Sequence, residues 1–250
     1  MNRSFIIILL TVLQSYSLIS QDKPSGAMSK NRETYYEASK QKVLGNYEKA
    51  IELYKTCLEQ DKEDAAAMFE LASIYTDLGK TDDAMPYAEQ AVEIDPVNKW
   101  YKVLLSRLYQ TKGNYEDAGK IITKLIDAEP QNIDYYQDLA LNYIYMGDYK
   151  NAIKSYDALE QILGVNEEVS VQKEKIYIMM GKPDKAIEEI KKLSAAFPDD
   201  SRYLEMLAEL YMTGGMYELA LEIYNQILEM EPDNPYINIS LSDYYRKAGD

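Results

Sequence analysis

The stretch "GNYEKAIELY", residues 45–54, returns further along the chain as "GNYEDAGKII", residues 113–122. Midway between Gly45 and Gly113, Gly79 opens "GKTDDAMPYA". The step from Gly45 to Gly79, taken again and again, carries glycine through Gly147, Gly181, Gly215 and Gly249. Following each of the first six glycines at one fixed offset stands an alanine: Ala50, Ala84, Ala118, Ala152, Ala186 and Ala220. Self-similarity at a period of this size marks an array in which one small unit stacks on copies of itself.

Residues 65–98 show what one unit contains. Leu71, Ala72 and Tyr75 lie at helical spacing and share a face. Gly79 follows, where a glycine can take the left-handed conformation that ends a helix. A second helical pattern runs through Ala84, Ala88, Ala91 and Val92, and Pro96 closes it. The last slot of the unit holds Asp64, Asn98, Asn132, Asn166, Asp200 and Asn234. Asp or Asn at all six predicts an N-cap, whose side-chain oxygen accepts the free N–H groups of the next helix. Each unit therefore reads as helix A, a glycine turn, helix B and an Asx turn. Tyr75, Tyr109, Tyr143, Tyr177, Tyr211 and Tyr245 recur near the end of helix A and read as core. Cys57 shares its register with Ala91, Leu125, Leu159, Leu193 and Ile227, which predicts a small buried apolar residue rather than a reactive thiol.

These motifs resemble the tetratricopeptide repeat (TPR), whose characteristic period is the same glycine-to-glycine step. The matches include Leu71-Ala72-x-x-Tyr75, Leu139-Ala140-x-x-Tyr143 and Leu207-Ala208-x-x-Tyr211. The turn Gly-x-Tyr-x-x-Ala matches at 45–50, 113–118, 147–152 and 215–220, and the proline at Pro96, Pro130, Pro198 and Pro232. The resemblance implies an all-α solenoid, a right-handed superhelix of antiparallel helix pairs. It covers residues 31–250 as six full units (31–64, 65–98, 99–132, 133–166, 167–200 and 201–234) and one further helix A over 235–250. Some positions depart from the pattern. Glu37 and Gln41 replace Leu and Tyr in the first unit, as suits a polar N-terminal cap. Lys173 and Glu174 replace Leu-Ala in the fifth, and Gly164 replaces the proline before it, so that seam is expected to be the least well packed. Pro86 is expected to delay or kink its helix B, and Gly119 to weaken another. The closing "KAGD" repeats the turn register at Gly249, which suggests a chain continuing into further repeats.

Residues 1–20 lie outside the register. Arg3 precedes an apolar run from Phe5 to Ile19, followed by small and polar residues, with Ser17 and Ser20 as cleavage positions. That is the pattern of a secretory signal peptide, and residues 21–30 read as a polar linker. The expected location is a bacterial periplasm or envelope. Arg3 is the only charge in residues 1–20, so the rest of the chain carries −16, with 26 basic and 42 acidic groups. Such a surface disfavours nucleic acid and, once the signal is removed, an anionic membrane.

The chain has no histidine and one cysteine, which removes the commonest acid–base group, the commonest metal ligand and any internal disulfide. No nucleophile–base pair or phosphate loop is spelled out, so no enzymatic activity and no cofactor or metal are expected. What the resemblance implies instead is a binding groove lined by positions 2, 5, 9 and 12 of helix A. In units three to five these are Trp100, Val103, Arg107, Gln110, Gln137, Leu141, Ile144, Val171, Lys175 and Ile178. They read either as a surface for a peptide or helix of a protein partner, or as packing between adjacent helices A. Arg107 and Lys175 suggest an acidic bound segment. The slots used by TPR carboxylate clamps hold Tyr35 and Ser39, Phe69 and Ser73, and Val103 and Arg107, so no clamp is visible. Two functional classes remain open: an exported interaction scaffold, and the periplasmic sensor portion of a larger membrane-bound signalling protein.

Overall fold

The computed structural model describes residues 26–248. The segment read as an export signal and the turn at Gly249 lie outside the described residues. Thirteen helices and no strand are found among those described. Six successive pairs are α1 (Gly26–Val43) with α2 (Tyr47–Gln60), α3 (Ala65–Asp77) with α4 (Thr81–Ile94), α5 (Lys99–Thr111) with α6 (Tyr115–Ala128), α7 (Ile133–Tyr145) with α8 (Tyr149–Leu163), α9 (Glu167–Met179) with α10 (Pro183–Ala196), and α11 (Ser201–Thr213) with α12 (Tyr217–Met230). α13 (Pro235–Ala248) begins a seventh unit. The helices divide into two compact units, one up to Leu108 and one from Tyr109.

Backbone chemistry explains the regularity. Gly45, Gly79, Gly113, Gly147, Gly181 and Gly215 all have φ between 67° and 77°, the left-handed region that side chains with a Cβ rarely adopt. Each turn closes in the same way. The N–H after the glycine donates to the carbonyl of the ladder position, as in Lys80 to Tyr75 and Asp148 to Tyr143, both at 2.8 Å. Every Asx slot caps the helix after it. Asp64 accepts from the Ala67 N–H at 2.9 Å, and Asn98, Asn132, Asn166, Asp200 and Asn234 accept from N–H groups in the first turn that follows each. The six register alanines have no exposed surface, which lets helices A and B meet closely. Cys57 is likewise fully buried, and burial pushes its thiol up to about 11, so the reactive thiolate is suppressed.

Three expectations need correction. Residues 26–30, expected as linker, are helical, because α1 begins at Gly26. Pro86 does not delay its helix: α4 starts at Thr81, in the same place after its turn glycine as its counterparts, and Pro86 sits inside it. The tyrosine ladder is only partly core. Tyr75 and Tyr211 are buried, Tyr109, Tyr143 and Tyr177 half-buried, and Tyr245 is 47% exposed.

The seam before unit five buries a charge. Lys173 is 2% exposed, and the Ser170 hydroxyl and one carboxylate oxygen of Glu189 are buried there without a hydrogen-bond partner. Its ammonium lies 2.8 Å from Asp157, 3.1 Å from Glu160 and 2.7 Å from Glu189, and Glu160 also pairs with Lys192. Val169, Ser170 and Ile176 beside it are fully buried too. Burial alone would lower the Lys173 pKa, but its hydrogen bonds to Asp157 and Glu189 outweigh that and raise it. For Glu160, burial works upward, and the hydrogen bonds from Lys192 and Lys173 hold the carboxyl below its ordinary value. The register carried the signal for these partners. Glu160 occupies the slot of Leu58, Val92, Ile126, Ser194 and Leu228, and Glu189 that of Leu53, Tyr87, Ile121, Ser155 and Ile223. Three slots that are apolar in most units carry charge together here and form one ion cluster.

Candidate partner-binding site

The candidate groove residues fall in both compact units. In the first, Trp100 is 63% exposed and does not belong to the core. Its N–H is held by the Asn98 cap at 3.1 Å, and the Lys99 ammonium lies 5.2 Å from its ring centroid. The next residue, Tyr101, faces inward and packs at 5.0 Å on Phe69, beside Met68 and Ala91. Helix geometry thus turns one aromatic to solvent and its neighbour to the core. Val103 is half-buried and Arg107 exposed.

In the second unit the candidates divide. Leu141 and Ile178 are 42% and 45% exposed, and Lys175 is exposed. Gln137, Ile144 and Val171 are half-buried. Ile144 packs on the core around Ala140 and Ile176. Gln137 donates to Glu168 at 3.1 Å, and Gln110 to Asn142 at 3.1 Å. Contacts between adjacent helices A therefore account for Gln110, Gln137 and Ile144, and the exposed Leu141, Lys175 and Ile178 remain open to a partner. Ser39, at a slot where carboxylate clamps carry a donor, instead pairs inward with the Tyr54 hydroxyl at 2.9 Å.

The same projection extends to units six and seven, which the sequence reading did not reach. It names Arg202, Glu205, Glu209 and Met212 on α11, and Tyr236, Ile239, Asp243 and Arg246 on α13. A cleft of about 630 Å³ opens there between α11 and α13, with Glu167 of α9 at its rim and Tyr224 of α12 in its wall. A smaller cleft of about 280 Å³ lies on the other side of α11, against Glu174 and Ile178. Met206, Glu209 and Thr213 line both. Arg202, the one cation among the described lining residues, is tied to Asp200 by two hydrogen bonds of 3.0 and 2.7 Å. Burial raises the Glu174 carboxyl; Lys175 partly offsets this, and Glu209 adds to the rise. The periodic signal for these positions was as legible as for Trp100. What the sequence hid was that their carboxylates line one cleft.

The residues matched by family models settle the lineage. Residues 40–170 match the Cytochrome c-type biogenesis protein H TPR domain, and residues 143–210 and 201–234 match two further tetratricopeptide repeat models. The chain belongs to the TPR family. Solved TPR structures share its all-α solenoid fold. A crystal structure of MamA protein aligns at a TM-score of 0.59 with 21% identity, over 69% of this chain and 94% of that one. A tetratricopeptide repeat protein from Parabacteroides merdae aligns at 0.58 with 17% identity, over 87% and 86%. A chain in the structure of Naa15/Naa10 bound to HypK-THB aligns at 0.65 with 18% identity, over 94% of this chain and 35% of that one. At these identities the likeness shows the fold alone. No curated protein matches the chain.

Proposed function

We propose that this TPR protein is an exported, non-enzymatic scaffold that binds a peptide or helix of a protein partner on the exposed positions of its A helices. The observation that carries the reading is a contrast within one register. The alanines at the turn and the residues aligned with Cys57 are fully buried in every unit. At the groove positions, by contrast, large apolar side chains stand in solvent, with Trp100, Leu141, Ile178 and Ile239 all more than 40% exposed. Apolar side chains left outside the core at a periodic set of positions are what a partner-binding surface uses. The scaffold role agrees with the TPR family, and the Naa15/Naa10 structure is itself a complex with HypK. Export rests on the segment from Arg3 to Ser20.

Affinity capture with the mature protein from an envelope extract tests the role. A defined partner retained by the native protein and lost with Trp100→Ala supports it. A partner retained equally by Trp100→Ala removes Trp100 from the site. N-terminal sequencing after expression in a bacterial host tests export, with a mature N-terminus just after Ser17 or Ser20 expected. An intact Met1 in a cytoplasmic fraction would overturn the export reading.

A further inference from the structure

The chemistry of the α11–α13 cleft is distinct from that of the Trp100 surface. Glu205 and Glu209 occupy positions 5 and 9 of α11, one turn apart on one face, and Asp243 occupies position 9 of α13. With Glu167 at the rim, four carboxylates line the cleft against one guanidinium. Asp200 already neutralises that guanidinium, and Glu167 approaches it at 3.6 Å. Asp243 pairs with Arg246 on its own helix. Among the described residues neither Glu205 nor Glu209 has an ion-pair partner; Glu205 only accepts a 3.5 Å hydrogen bond from Asn234. Two like charges on adjacent turns of one helix repel each other mildly, and among the described residues no cation pairs with either. Thr213 and Ser240 add hydroxyls, and the remaining lining is apolar or aromatic. Met206 and Met212 form flexible thioether walls, and Tyr236, 72% exposed, offers a ring face at the mouth.

We infer that this cleft receives a cationic segment of the protein partner, with lysine or arginine side chains reaching Glu205 and Glu209 while their aliphatic stems lie on Met206 and Tyr236. Carboxylates beside an exposed aromatic ring suit such a side chain twice, through charge pairing and through the ring face. The methionines accept stems of varying length. The segment lies across α11, because the second cleft continues from Met206 and Glu209 to Glu174 and Ile178. This inference rests on the scaffold reading and adds to it the charge of the partner.

The probe is a synthetic peptide of about twelve residues alternating lysine pairs with leucine, alongside versions with glutamate or glutamine in place of lysine. The full mature chain carries 13C-methyl methionine. The lysine peptide should shift the Met206 and Met212 methyl signals and leave those of Met68 and Met85 in place. Affinity should fall steeply between about 20 mM and about 500 mM salt, and the glutamate peptide should not bind. Glu205→Lys/Glu209→Lys should weaken binding about tenfold or more, and Glu205→Gln/Glu209→Gln should weaken it less. Glu48→Lys/Glu52→Lys, the same charge change on exposed positions of α2, controls for net charge and should leave binding unchanged. If the control weakens binding as much as the cleft variant, or the Met206 and Met212 signals stay fixed, the cleft assignment is overturned and the scaffold reading stands. If no peptide of any charge binds while the native protein also captures no partner, both fall.

Discussion

The slot held by Leu71 in the second unit and Leu207 in the sixth is held by Lys173 in the fifth, and all three are buried to within a few per cent. Around Leu207 the neighbours are Leu204, Tyr211, Tyr224 and Ile227, and stability there comes from apolar area removed from water. Around Lys173 they are Asp157, Glu160 and Glu189, and stability depends on charges satisfying one another away from solvent. One backbone position therefore reaches equal burial by two routes. The routes differ in what happens when a single member is removed: an apolar cluster loses area, whereas an ion cluster is left with uncompensated buried charge.

The largest test of that difference is Lys173→Ala. Removing the shared cation leaves Glu160 and Glu189 buried at 12% and 13% side-chain exposure without it, which should cost about 3–5 kcal/mol in urea unfolding. Leu207→Ala should cost about 2–5 kcal/mol through cavity formation. A loss under about 1 kcal/mol for Lys173→Ala would mean that the cluster behaves as a surface pair, and the contrast would disappear. Replacing the whole cluster with its register residues, Lys173→Leu, Glu160→Leu and Glu189→Ile, should be neutral or stabilising by up to about 4 kcal/mol, because no charge is then left buried.

The pH dependence should separate the two regions as well. The Glu160 carboxyl is held below its ordinary value of 4.5, so its contribution is present above that value and is lost as pH falls through the depressed one. Lys173 is raised above 10.5, so its contribution is present below that value and is lost only as pH rises through the raised one. Stability from the cluster should be flat between about pH 5 and about pH 10 and fall on the acid side. The triple apolar variant should have a shallower acid limb in thermal melts. Identical acid limbs would remove Glu160 from the account.

Smaller effects come from glycines that keep the register and one that breaks it. Gly147 has φ +72°, and Gly147→Ala should cost about 1–2 kcal/mol. Gly119 stands inside α6 in a slot that is apolar in other units, and a Cβ there would meet Leu139 at an ordinary 3.7 Å. Gly119→Ala should therefore stabilise the chain by about 0.5–1 kcal/mol. It would show a register break that, unlike Lys173, nothing compensates. Trp100→Ala should change stability by no more than about 0.5 kcal/mol, since the ring is mostly in solvent. Unfolding of that variant would place Trp100 in the core after all.

The repeat period, the left-handed glycines, the Asx caps and the buried alanines were all legible in the residues. Each is a local requirement: a positive φ needs glycine, a helix start needs an acceptor, and a close helix contact needs a small side chain. Local requirements repeat with the backbone, so a periodic sequence displays them. Lys173 was legible only as a departure. That its charge is buried and paired depended on Glu160 and Glu189, which sit on α8 and α10, the B helices on either side, and share no short motif with it. In the same way, the TPR resemblance named Trp100 and Ile178 as outward positions, but five of the other eight candidates turned out to be half-buried. The carboxylates of Glu167, Glu205, Glu209 and Asp243 meet only because three A helices are stacked side by side. Which charges cancel, which stay unpaired and which share a cleft are sums over neighbours in space, and only the tertiary structure brings those neighbours together.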